Sequence, residues 1–321
     1  MSGLTGRIVS GLVFAVLVFV GLAVFADLQD LLDTLHLFDG MALIPALFLA
    51  LGNYVIRFLR WDAYLNVIGV GGRVRKSESF SIFFAGMVMS ITPGKVGELL
   101  KSVLLRQRRG IPVSETAPVV VTERLTDFVA VLLLCFIGAF SADYGTEVVL
   151  IGGVLSVVAL VVCSSERLAN RVFLLLENLP VVKKIVPALR QSYQNMNLLV
   201  RPRPLTQGLV YALMAWWLEC VALFVILSGF PELSPTLGHC IFIYAFATLA
   251  GAVTMLPGGL VFTEGSMIVL LTAIVPFMVT EDVTVATAAT VVVRFCTLWF
   301  AVALGLCAMG WLRATQEKTP L

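Results

Sequence analysis

The chain has 321 residues, 59% of them hydrophobic and 13% charged, with a mean hydropathy of +0.99. A water-soluble domain has no way to hide that much apolar surface, so the composition specifies a polytopic membrane protein. The formal net charge is +2, and no basic, aromatic-interleaved surface is present, which excludes nucleic acid as a partner.

A helix rises about 1.5 Å per residue, so about 20 apolar residues cross the hydrocarbon core. On that measure the full spans are 8–26, 41–69, 115–140, 147–163, 207–229 and 284–312. The first is read as an uncleaved span, because only Arg7 precedes it and Ala23–Ala26 makes a poor cleavage site. Two other apolar regions are interrupted. Residues 79–91 are too few to span and run into Pro93-Gly94 and a charged helix; residues 238–278 are long enough for two spans but are interrupted at Pro257-Gly258-Gly259. Both are predicted to be hairpins that enter and leave by one face. The fold class is therefore all-α, a polytopic helical membrane bundle of about six full spans plus two re-entrant Pro-Gly-broken hairpins. It forms a single integral membrane domain over 1–321: a first span and outer loop (1–40), one half (41–140), a linking span with a basic connector (141–206), and a second half (207–312).

Loop charge sets the orientation. Segments 27–40, 141–147, 230–237 and 279–283 carry nine acidic residues and no lysine or arginine, whereas 70–111 and 164–206 carry fifteen Lys/Arg and four acids. The acidic set is expected outside and the basic set in the cytoplasm, with both termini cytoplasmic. That pattern holds throughout only if both broken segments are re-entrant. The first half then runs span, hairpin from inside, span, and the second half repeats it upside down, which is the inverted repeat of many secondary transporters. The basic connector 164–206 is read as a solvated loop near anionic headgroups.

A charge inside the hydrocarbon costs a few kcal/mol or more, so each one needs a partner or a wet cavity. Pro93 and Gly94 end one half-helix and allow another to start, and the free N–H groups there, with Lys95 beside them, suit a phosphate. Glu98 follows, with Lys101 three residues on as a local ion-pair partner. In the stretch Thr122–Phe128, Arg124 and Asp127 share a helix face while Glu123 points about 100° away. Arg124 matches phosphate in a two-pronged way. In the second half, Pro257, Gly258 and Gly259 make the break, Thr263 stands ready to cap a helix beside Glu264, and Arg294 lies well inside its span. Arg294 needs a partner from another helix, either Glu264 or Glu219, and Glu264 is favoured by analogy with Glu98 and Arg124. Arg57 and Arg60, one turn apart, either line a vestibule or snorkel. The six cysteines lie in apolar runs without paired spacing and the two histidines stand alone, so no metal and no cofactor is expected. P-loop, dinucleotide, HExxH and serine-elbow signatures are absent, so no enzyme activity is expected.

At TPGKVGELLKSVLL, TERLTDF, LPGGLVFTEGSM and the late intramembrane arginine, the chain resembles the lysylphosphatidylglycerol synthetase transmembrane-region family of flippase-like proteins. The resemblance covers nearly the whole chain, with one departure: the break-to-glutamate spacing is seven in the second hairpin and five in the first. In multiple peptide resistance factors this kind of domain flips aminoacylated phospholipid made by an attached synthase. That synthase part is expected to be missing here. The resemblance implies a lipid translocator of the bacterial-type inner membrane for a phospholipid, polyisoprenoid-linked or hopanoid-type lipid, with anionic-headgroup lipids as partners. A separate lipid-modifying or glycosyltransferase enzyme is a further implied partner. Two other readings remain open: a membrane-embedded lipid-phosphate enzyme using Glu98, Glu123 and Asp127 as metal ligands, and a non-transporting subunit that recruits a lipid-modifying enzyme.

Overall fold

The computed structural model describes residues 27–91, 98–142, 186–254, 256–277 and 283–316, with a few helical positions between 13 and 21. Pro93, Gly94, Lys95, the predicted span 147–163 and most of the predicted span 8–26 lie outside the described residues. Among the described residues the chain is a helical membrane bundle with no strand, only an isolated antiparallel bridge between Leu233 and Phe277.

In chain order the described helices are α1 (Leu28–Leu37), α2 (Leu43–Val67), α3 (Lys76–Gly86), α4 (Leu100–Arg109), α5 (Val113–Ala142), α6 (Val186–Leu199), α7 (Pro202–Leu227), α8 (Leu237–Val253), α9 (Phe262–Ile274), α10 (Val283–Arg294) and α11 (Phe300–Gln316). A π-turn at Phe295–Trp299 joins α10 to α11. Local chemistry sets several ends. The Asp27 carboxylate accepts from the Gln29 amide at 2.9 Å and Thr236 accepts from the His239 amide at 3.2 Å, each satisfying an orphan donor of a first turn. Gly110, at φ 67°, closes α4 in the left-handed conformation that suits glycine.

Among the described residues, three stretches are long and apolar enough to cross a membrane: Gly40–Val67, Pro202–Leu227 and Val283–Thr315. Helix α5 has 30 residues, ample length, but carries Glu123, Arg124 and Asp127 turned inward. Helices α8 and α9 have 17 and 13 residues, too short for a span each.

Both broken segments fold back on themselves. In the second, α8 packs along α9, and the segment's two ends are tied together by the Leu233–Phe277 bridge and by the Ser234 amide donating to the Pro276 carbonyl at 3.1 Å. In the first, α3 packs against α4, and Glu78 at its start is held by Arg108 and Arg109 at its end. The hydrogen bond from Arg109 Nε to Glu78, 2.8 Å long, holds this exposed guanidinium above its usual range.

The two mouths lie at opposite ends of the bundle. The second sits with the C-terminus of α7, where Phe38 stacks on Phe230 and the Asp39 amide reaches the Gly229 carbonyl. The first sits with the start of α5 and the end of α11, where Arg73 pairs with Glu115 and Arg108 donates to the Leu312 carbonyl. Helices α2, α5 and α7 run between these two ends. The tips meet inside: the turn Met87–Ile91 touches the turn Pro257–Gly259.

Two apolar clusters follow from this arrangement. One gathers α8, α9, α10 and the far halves of α5 and α7; the other gathers α2, α3, α4 and the near half of α5. Bulky side chains left outside, such as Phe48, Phe140, Val269 and Trp311, are exposed as a lipid-facing surface requires.

Candidate functional site

Between the two clusters lies a cavity of about 460 Å³, lined by both hairpins together with α2, α5, α7, α10 and the π-turn. Its walls carry Arg57, Lys101, Arg124 and Arg294 against Glu98, Glu123, Asp127 and Glu219.

Asp127 is the hub. Its carboxylate accepts from Arg60 Nη1 at 2.7 Å and from Trp216 Nε1 at 3.1 Å, meets Arg124 Nη2 at 2.7 Å, and has Arg57 Nη2 at 3.6 Å. Arg60 is 1% exposed and also donates to Thr126 Oγ1 at 3.1 Å. The pair Arg124–Asp127, three apart on one face, is the arrangement expected from the sequence. The reading that left Arg57 and Arg60 free to snorkel is corrected: α5 and α7 enclose them, and Asp127 draws both inward.

Arg124 also spans to the first hairpin, where its Nη1 lies 3.1 Å from Glu98 Oε1. Lys101 does not pair with Glu98. Its ammonium meets Glu123 Oε2 on α5 at 2.6 Å and lies over the rings of Trp61 and Phe83, at 4.5 and 5.0 Å from their centroids. The 100° that separates Glu123 from Arg124 therefore turns it toward the first hairpin. Gly86 permits this crossing, since a Cβ there would stand 2.5 Å from Lys101 Cγ.

In the second hairpin Arg294 Nε lies 2.5 Å from Glu264 Oε1, and its Nη2 donates to the Gly258 carbonyl at 2.8 Å. Arg294 thus holds both the tip turn and the start of α9, and the Glu264 partner favoured from the sequence is the one found. Glu264 is completely enclosed. Gly258 and Gly259 have φ 61° and 68°, which explains why the break needs glycine. Val261 follows at φ 75°, ψ −55°, a costly γ-turn geometry for a β-branched residue. Thr263 does not cap α9, whose cap position is Val261 without a side-chain hydrogen bond; Thr263 is buried instead against Gly251 and Gly259.

Helix α7 and the α10–α11 joint add residues with weaker sequence signals. The π-turn leaves the Thr297 carbonyl open to the Tyr54 hydroxyl, which donates at 2.5 Å. Glu219, the other candidate partner for Arg294, instead accepts from the Tyr244 hydroxyl at 3.0 Å. Trp216, Tyr54 and Tyr244 sit in apolar runs and look like ordinary membrane-helix aromatics until the packing turns them to the cavity.

The three carboxylates that a metal-dependent enzyme would need are already divided among cations: Glu98 with Arg124, Glu123 with Lys101, Asp127 with Arg57, Arg60 and Arg124. No group of three or more His, Cys, Asp or Glu suited to an ion occurs among the described residues.

Comparisons with known proteins agree with the architecture. Two proteins described as UPF0104 membrane proteins, both from Methanothermobacter thermautotrophicus, are similar to this chain. One is 25% identical over 79% of this chain and 79% of its own length. The other is 23% identical over 95% of this chain and 97% of its own. The model of the family described as lysylphosphatidylglycerol synthase TM region matches residues 9–305, that is, the two hairpins and all the helices that carry the paired charges. The chain belongs to that lysylphosphatidylglycerol synthase transmembrane-region family.

Proposed function

We propose that the protein is a flippase-like translocator that carries a phosphate-bearing lipid across the cytoplasmic membrane. The observation that carries this reading is the meeting, at one charged cavity, of two hairpins whose mouths lie at opposite ends of the bundle. A translocator needs a polar site at mid-membrane that either face can reach, and oppositely opening broken helices supply one. The halves 41–140 and 207–312 act as an inverted repeat within one membrane domain, and the basic face is cytoplasmic.

The headgroup phosphate binds Arg124 and Arg57. Their side chains keep 26% and 20% of their surface open to the cavity, whereas Arg294 keeps 10%. Arg294 is therefore a latch on the second hairpin more than a ligand, and Lys95 remains a further phosphate ligand on its chemistry alone. Ala252 both lines the cavity and is exposed on the bundle surface, beside the strongly exposed Val253. The cavity thus reaches the lipid side, and the acyl or prenyl chains stay in the bilayer, which spares the cost of wetting each CH₂ at about 0.8 kcal/mol. The lipids served are anionic-headgroup lipids, and a separate lipid-modifying or glycosyltransferase enzyme supplies or consumes them.

The test is purified protein in phosphatidylcholine vesicles containing acyl-labelled fluorescent phosphatidylglycerol, with dithionite quenching the outer leaflet. The expected result is flipping well above that of protein-free vesicles. Arg124→Gln should slow it by about 10- to 100-fold, the value of a lost charge-assisted hydrogen bond of about 1.5–3 kcal/mol. Flipping at the protein-free rate, or metal-dependent release of a lipid product, would overturn the reading.

A further inference from the structure

We infer that Glu219 is a proton-binding site that couples lipid movement to proton movement, an inference that rests on the translocator reading above. Charge within the cavity is unevenly shared. Among the described residues, Asp127 has three guanidinium groups within ion-pair distance, Glu98, Glu123 and Glu264 are each paired with a cation, and no cation lies within ion-pair distance of Glu219. Among the described residues, its hydrogen bond comes from the Tyr244 hydroxyl. Yet Glu219 is 4% exposed and lines the cavity. An ionised carboxylate there, without a cation, carries a desolvation penalty that its neighbours avoid by pairing. A proton is the cation small enough to remove it.

The groups around Glu219 supply a way to exchange that proton. From α2 come Tyr54 and Arg57, from α8 Tyr244, and from α10 and the π-turn Arg294 and Cys296; Cys220 is its neighbour on α7. Tyr54 is committed to the Thr297 carbonyl and Arg294 to Glu264. Arg57 is the loosest. Its contact with Asp127, at 3.6 Å, is the longest of that hub's three, and its guanidinium lies 5.9 Å from the centroid of Trp216, one turn before Glu219. Asp127 keeps two arginines if Arg57 leaves. When Arg57 swings to Glu219, the carboxylic acid gives its proton to water in the open cavity and the carboxylate pairs with the guanidinium. When Arg57 returns to Asp127 or to a headgroup phosphate, Glu219 takes a proton up again. One proton thus moves per excursion of Arg57, and binding of a phosphate to Arg57 is tied to protonation of Glu219.

Two readouts on the full chain test this. Infrared difference spectra of purified protein in lipid, taken across a pH titration, should contain the carbonyl stretch of a buried protonated carboxyl. Glu219→Gln should lose that band, Tyr244→Phe should shift it, and Glu264→Gln should leave it in place. In vesicles with acyl-labelled phosphatidylglycerol, an imposed pH gradient should accelerate flipping by the wild type and leave Glu219→Gln at its ungraded rate. A wild type without the band, or a band indifferent to both Glu219→Gln and Tyr244→Phe, overturns the site. A band with gradient-insensitive flipping overturns the coupling while the translocator reading stands. A wild type that does not flip lipid at all overturns the translocator reading and the coupling with it, and the band then decides proton binding alone.

Discussion

Asp127 shows how much of the site a single side chain can organise. It is buried, accepts from Trp216, and neutralises Arg60, which is itself sealed from solvent and lipid. Removing one partner of a buried pair leaves the other uncompensated, at about 3–5 kcal/mol. Asp127→Ala is therefore expected to lower the thermal denaturation midpoint sharply, with most of the effect absent when Arg60→Met is added. An unchanged midpoint for Asp127→Ala would contradict the hub. The same logic applies to Lys101 and Glu123. Lys101→Met alone should be destabilising by about the same amount, and Lys101→Met with Glu123→Gln should recover most of it in a double-mutant cycle. At this scale the sequence was partly legible. Arg124 and Asp127 stand three apart, so their pairing could be read from spacing, and Glu264 was favoured over Glu219 as the partner of Arg294 by analogy with Glu98 and Arg124. The Lys101–Glu123 pair could not, because it depends on how α4 lies across α5, which no local pattern encodes. Arg60 was equally opaque: an arginine near a helix end looks like a snorkelling residue until α5 and α7 close over it.

Elements carry the next level of the argument. The Pro-Gly breaks make both hairpins readable, with 79–91 too short to span and 238–278, long enough for two spans, interrupted at Pro257-Gly258-Gly259; the folded second hairpin then has helices of only 17 and 13 residues. The clasps at their mouths are long-range contacts and were not readable. If the second segment crossed the membrane fully, residues 233 and 277 would be separated by about 30 Å of hydrocarbon. In the folded chain they pair, so Leu233→Cys with Phe277→Cys, in a background without the native cysteines, is expected to cross-link readily under mild oxidation. Failure to cross-link would contradict the hairpin. Close helix approach is the other element-scale device. A Cβ on Gly138 would lie 2.5 Å from the Phe242 backbone nitrogen and 2.7 Å from its Cα, so α5 and α8 touch there through backbone. Gly138→Ala should cost about 1–3 kcal/mol by forcing these helices apart, measured by thermal denaturation. Gly265→Ala, where nothing lies within 4 Å, should cost far less.

For the molecule as a whole, the two hairpin mouths, the two apolar clusters and the charged layer between them form one design. Each hairpin is rooted in its own cluster, and the tips meet where neither cluster supplies apolar packing, so the charges collect there. The acidic residues Asp27, Asp30, Asp33 and Asp39 lie at the end of the bundle that holds the second mouth, and Arg73, Arg75 and Arg109 at the end that holds the first. That polarity was legible in the sequence as loop charge. The cavity was not, since it needs both hairpins and α2, α5, α7 and α10 to agree on where their polar residues point. The central claim is that the two mouths face opposite sides of the membrane, and single cysteines at Ser77 and Ser234, both exposed, test it most directly. Each would be placed in a cysteine-free background and labelled with an impermeant maleimide in intact cells and in inverted vesicles. The account predicts that Ser234→Cys labels only from outside and Ser77→Cys only from the cytoplasmic side. Labelling of both from the same side would contradict the opposed hairpins, and the translocator built on them.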